Sequence, residues 1–210
     1  MPIDVQRVRS EFPSLSVRDD DHSRIYFDNP GGTQVARRVI DRTVQYLSNF
    51  NANCAGTFRT SIATDRLLNE AHDAVAAFLN ATSGEEIIFG QNMTSLTFAV
   101  SRSLGRTMRS GDEIVVSRMD HDANISPWLL LADDLDLTIR WMDFDPKTFR
   151  YAPDALERVL NERTRLVAVN HASNAIGTIN DVRRITELAH TAGALVFIDS
   201  VQFAPHGLVD

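Results

Sequence analysis

Five strand-length apolar runs, each separated from the next by a stretch with helical spacing, set the tightest limit on how this chain folds. They are "EEIIFG" (85–90), "DEIVVS" (112–117), "LTIRWMDF" (137–144), "TRLVAVNH" (164–171) and "ALVFID" (194–199). A continuous apolar run suits a strand covered on both faces, as in a parallel sheet between two layers of helices. Helical patterns at 93–104, 124–133, 153–160 and 182–192 fill the gaps, so the chain reads as α/β: a mostly parallel, five-stranded sheet flanked by helices. Upstream, 5–11, 33–49 and 61–80 read as helices and "RIYFDN" as a brief extended segment. Residues 1–32 read as an N-terminal arm and 33–210 as one large domain.

In such a sheet, ligands bind beyond the carboxyl ends of the strands. Polar residues stand at those ends: Asn92, His121, Asn174, Asp199 and Gln202. Asp199 is the sharpest of them, because a carboxylate closing a buried apolar run needs a cationic or hydrogen-bonding partner, or else serves to cap the next turn. The stretch "FGQNMTSLTFAV" puts Asn92, Met93, Thr94 and Ser95 at a helix start, where free N–H groups and the helix dipole favour an anion and where an ordinary N-cap also fits. It is neither a P-loop nor a GxGxxG fingerprint, which argues against a nucleotide-binding domain. In "SRMDHDANISPW", His121 is a flat ring able to stack on a planar ligand. Asp120, His121 and Asp122 are adjacent and do not face one centre, so no metal site is expected. "NHASNAIGTIND" has turn chemistry around Asn170, His171, Ser173 and Asn174.

Composition narrows the partners. A net charge of −7 with no Lys/Arg run excludes a nucleic-acid surface, and no apolar run approaches the length of a membrane span. The single cysteine, Cys54, leaves no intrachain disulfide and no cysteine-based metal cluster. A soluble, cytoplasmic protein is expected.

Taken together, the residues describe a ligand with an anionic group, a flat ring and a basic ring nitrogen. The helix start would hold the anion, His121 would stack, and Asp199 would keep the nitrogen protonated so that the ring acts as an electron sink. Gln202 would donate to a ring oxygen. That ligand is pyridoxal 5′-phosphate.

From about Phe12 to its last residue the sequence resembles the N-terminal half of class V aminotransferase-like enzymes of pyridoxal-phosphate fold type I, and most of all the cysteine desulfurase-like proteins. The resemblance rests on "YFDNPGGTQ", "FGQNMTSLTFA", "DHDANISPW", "NHASNAIGTIND" and "VFIDSVQ", in the family's order and spacing. It implies that Asp199 pairs with the pyridinium nitrogen, Gln202 with the ring oxygen, and His121 with the ring face. It further implies that Asn174 lies near cofactor and substrate, and that Asn92, Met93 and Thr94 form the phosphate loop. His121 and Asp199 are the expected catalytic residues. An amino-acid substrate and a homodimer of the complete enzyme also follow. Two departures stand out: Met93-Thr94 replaces the usual Thr-Thr pair, and "NANCAGTFRTS" replaces the family's common loop at the mouth of the site.

The family's Schiff-base lysine lies beyond the Asp-x-x-Gln pattern, so the chain reads as truncated before that residue and before the small C-terminal domain. Its only lysine among 21 basic residues is Lys147, in a polar loop that the resemblance puts on the side away from the cofactor. Cys54 is not expected to be the desulfurase nucleophile. Two further readings stay open: another class V aminotransferase or lyase, and a non-catalytic cofactor-binding or interaction fragment.

Overall fold

The computed structural model describes residues 3–209, which fall into two compact units that divide between Ile87 and Ile88. The first unit begins with helix α1 (Val5–Ser10), capped by Asp4, whose carboxylate accepts the Arg7 N–H. A short hairpin follows, β1 (Arg18–Asp19) and β2 (His22–Ser23), joined by Asp20 and Asp21, both at positive φ. Two central residues with positive φ match the right-handed twist of paired strands. Helix α2 (Arg37–Asn49) and helix α3 (Arg59–Phe78) complete the unit, with Arg42 reaching Glu70 between them. The start of α3 ties down the preceding loop: Ser61 donates to the Asn53 carbonyl and Thr64 to the Phe50 carbonyl.

The second unit contains the sheet. Strands β3 (Glu113–Ser117), β4 (Thr138–Met142), β5 (Thr164–Asn170) and β6 (Leu195–Asp199) lie in the order β4-β3-β5-β6, every neighbouring pair parallel. Their apolar residues alternate between two cores. Val115, Val167 and Val169 pack with Met142, Leu156, Ile185 and Ala189 on one face, and Ile114, Val116, Leu166 and Ala168 pack with Trp128 and Leu131 on the other. Both faces are covered, which is why β3 and β5 read as unbroken apolar runs.

Helices α4 (Met93–Gly105) and α5 (Ser126–Leu135) pack together, and the fit is close at Gly105, where a Cβ would come within 2.5 Å of a Leu131 methyl. Helix α6 (Val182–Thr191) is capped by Asp181 and ends at Gly193, whose φ of +78° suits glycine. No described helix is long and apolar enough to cross a membrane.

The α/β class and the parallel sheet stand as read from sequence; two elements do not. "EEIIFG" is no strand. Ser83 caps a 3₁₀ turn at Gly84–Glu86, Ile87 is extended, and Ile88 stays 74% exposed outside the four-stranded ladder. Among the described residues the sheet therefore has four strands rather than five. The expected helix at 153–160 is a succession of turns, with Arg158 donating to the Asp154 carbonyl and Leu160 to that of Leu156. Burying Ala155 and Leu156 requires only the turns.

Candidate functional site

The carboxyl ends of β3, β5 and β6 form one edge, because the strands are parallel and in register: Asn170 pairs with Asp199 at the end of β5 and β6, and the carbonyl of Asp199 accepts the His171 N–H at 2.8 Å. Asp199 is the last residue of β6 and 8% exposed, and the Val201 N–H donates to its Oδ1 at 2.9 Å. Among the described residues it has no ion-pair partner. A buried carboxylate with no cation beside it is costly unless a ligand supplies the positive charge.

Gln202, partly buried, follows in the turn after β6. Asn174 stands four residues beyond the end of β5, in a loop closed by the bridge between Ala172 and Ile179. His121 follows β3 by four residues and is exposed. Its Nδ1 accepts the Ala123 N–H at 3.1 Å, so a neutral ring carries its proton on Nε2. The imidazole of His171 is committed elsewhere, stacked at 3.5 Å on Phe203 with Nδ1 facing Ser200 Oγ, and burial lowers its pKa.

Asn92 is the N-cap of α4, with Oδ1 accepting from the Ser95 N–H at 2.9 Å. The capping role and the anion-holding role weighed from sequence are compatible: the cap uses Ser95, and the N–H groups of Met93 and Thr94 stand in the first turn. Helix α4 packs against the 3₁₀ turn Asp122–Asn124 that follows His121.

Lys147 requires a correction. It is exposed in the turn closed by the Asp145–Arg150 bridge, directly after the carboxyl end of β4. The loop thus leaves from the same edge as the candidate site, not the opposite side, because every strand runs the same way. The strand it follows is nevertheless the one farthest from β6. Three strand spacings separate β4 from β6, about 14 Å at some 4.8 Å each.

A network that sequence reasoning missed underlies the edge. Asn124 and Asn170 each donate to Asp120, and Asn180 donates to Asn170; the three asparagines are fully or nearly fully buried. Their partners lie up to some fifty positions apart, and the one local signal was a run of asparagines at strand ends. A separate cavity of about 310 Å³, lined by Met142, Tyr151, Leu156, Asn180, Arg184 and Ile185 among others, contains none of the residues proposed from sequence.

The sequence profile of the aminotransferase class-V family matches residues 25–210. A cysteine desulfurase of Dickeya dadantii is 38% identical over the whole of this chain and 50% of its own length. Aminotransferase-like protein FGM3 of Gibberella zeae is 34% identical over 98% of this chain and 51% of its own. The apo cysteine desulfurase of Thermococcus onnurineus superposes on all of this chain and 50% of its own with a TM-score of 0.87 at 29% identity. The chain spans about half the length of the curated relatives it matches.

Proposed function

Given that the chain belongs to the aminotransferase class-V family, we propose that it is the cofactor-holding half of a pyridoxal 5′-phosphate enzyme of the cysteine desulfurase type, acting on an amino acid. The observation that carries this reading is Asp199, a buried carboxylate at the carboxyl edge of a parallel sheet, without an ion-pair partner among the described residues. Its charge fits a protonated ring nitrogen, and it would hold the proton there. Gln202, three residues on, would donate to the ring oxygen, and His121 would cover the ring face. The N–H groups of Met93 and Thr94, with the Thr94 hydroxyl and the amide of Asn92, would hold the phosphate. With Met93 in place of a threonine, one hydroxyl donor gives way to backbone donors. Asn174 would face cofactor and substrate from the loop after β5.

When bound, this cofactor supplies an electron sink for carbanion chemistry at an amino acid. The part played by this chain is electrostatic and geometric: a fixed anion at one end of the ring, fixed donors at the phosphate end, and a flat side chain over the face. Family membership also supports a homodimer of the complete enzyme.

The test uses the full-length enzyme with cysteine as substrate and alanine formation as readout. Asp199→Ala and Asp199→Asn are each expected to lower turnover on the order of a hundredfold or more, since neither supplies a charge. Activity within a few-fold of wild type in either variant contradicts the assignment. A wild-type enzyme that consumes other amino acids and leaves cysteine intact would keep the cofactor and reject the desulfurase substrate.

A further inference from the structure

We infer that Asp120 is a positioning residue of this site: its carboxylate fastens the turn that carries His121 to the end of the strand that neighbours Asp199. The inference rests on the cofactor reading above and extends it to a residue outside the set named from sequence.

Asp120 lies between the end of β3 and His121. Its two carboxylate oxygens face different elements. Oδ2 accepts the N–H of Asn170, the last residue of β5, at 3.0 Å, and Oδ1 accepts from Asn124 Nδ2 at 2.6 Å. Asn124 is wholly buried, and its own Oδ1 accepts the indole N–H of the fully buried Trp128 at 3.2 Å. On the other side, Asn170 donates from Nδ2 to the Met119 carbonyl at 2.9 Å, and Asn180 donates to the Asn170 carbonyl and Oδ1 at 3.0 and 2.8 Å. Residues 119 and 120 are thus bonded to β5 through both backbone and side chain. Asn170 is in turn the register partner of Asp199.

The consequence for His121 is direct. To move the backbone that carries the ring relative to Asp199, the peptide before it must rotate, and that rotation breaks hydrogen bonds whose other members are buried and have no water to turn to. Ala123, which donates to His121 Nδ1, belongs to the same turn as Asn124, so one network fixes both the backbone and the imidazole orientation.

The electrostatic surroundings of Asp120 include the same edge. Burial pushes Asp120 up to about 7, against hydrogen bonds from Asn124, Ser117 and Asn170 that hold it down, and the charge of Asp199 adds to the rise. The groups facing it are Asp199 from β6 and, through Ser117, Tyr151, whose own pKa is raised by burial and in part by Asp120.

The experiment uses the full-length enzyme and pyridoxal 5′-phosphate itself. It measures the dissociation constant, the visible circular dichroism of the bound cofactor, and the melting temperature of the cofactor-free protein. Asp120→Asn, which turns one acceptor into a donor facing a donor, is expected to weaken binding about tenfold and to reduce the dichroic band. Asp120→Glu, which keeps the carboxylate, is expected to recover most of the affinity. If Asp120→Asn lowers the melting temperature while binding and dichroism stay at wild-type values, the residue is merely structural and the inference is wrong. Should that variant fail to fold, Asn124→Ala frees the same oxygen: weakened binding supports the link, and wild-type binding overturns it. Asp199→Ala separates the two ideas. If it too binds with wild-type affinity and dichroism, the cofactor reading itself falls; if it fails while Asp120→Asn behaves as wild type, only this inference does.

Discussion

Glu113 is the first residue of β3 and is completely buried, at the end of the sheet opposite the candidate site. Arg140 Nε and Nη2 donate to its two oxygens at 2.7 and 3.0 Å, Arg163 Nη2 at 2.7 Å, and Asn161 Nδ2 at 2.7 Å. The hydrogen bond from Arg140 is the largest influence and, with the others, holds the carboxyl at about 2 against an ordinary 4.5, although burial pulls the other way. A folded-state pKa below the unfolded value means stability that is present above about 4.5 and is lost as the pH falls through about 2. Glu113→Gln is therefore expected to destabilise the protein by about 2 kcal/mol near neutral pH, the scale of a hydrogen bond to a charged group, with the arginines free to reach solvent. Urea melts at several pH values check it: the gap between wild type and variant should close as the pH drops from 5 towards 2. The contrast with Asp199 explains what the sequence exposes. An acid that ends an apolar run announces itself locally, whereas Glu113 depends on partners some thirty to fifty positions away, and Asp120 reaches β5 through Asn170, fifty positions on, which no periodicity reveals.

At the scale of elements, the sequence predicted α4, α5 and α6 to within two residues and every strand of the sheet, because each carries a strong local period or an unbroken apolar run between helices. It failed at "EEIIFG", where β propensity is high and no neighbouring strand offers a ladder, and at 153–160, where packing and not propensity settles the conformation. The start of α4 shows how one residue serves an element and a site together. Asn92 caps the helix through Ser95, and its loss to alanine is expected to cost about 1 kcal/mol. Asn92→Asp separates the two roles. Aspartate caps as well as asparagine and suits the helix dipole, so stability should stay within about 0.5 kcal/mol of wild type. Its negative charge should meanwhile repel the phosphate and weaken binding of pyridoxal 5′-phosphate. Binding at wild-type strength in a stable Asn92→Asp variant would show that this helix start does not hold the phosphate.

Across the whole molecule, the distribution of lysine is the most discriminating feature. A single lysine in 210 residues means that covalent capture of an aldehyde by a side-chain amine has one candidate within this chain, Lys147. Parallel topology brings its turn to the same edge as Asp199, which the sequence alone did not indicate, but on the outermost strand β4, with β3 and β5 between. A lysine side chain extends about 6 Å from its Cα, against about 14 Å between β4 and β6, so an amine held over β4 would fall short unless the 145–150 turn moved across the sheet edge. That turn is fastened at both ends by the Asp145–Arg150 bridge, and Thr178 Oγ donates to the Phe149 carbonyl at 2.8 Å, which restrains such a movement. The chain of 210 residues taken alone is therefore expected to bind pyridoxal 5′-phosphate without a covalent bond to Lys147. Borohydride treatment of the mixture followed by peptide mass spectrometry checks this, with the chain's amino terminus as the one other amine to be counted. Stoichiometric reduction onto Lys147, together with turnover of an amino acid, would show that the turn does reach Asp199 and that the strand order does not keep them apart.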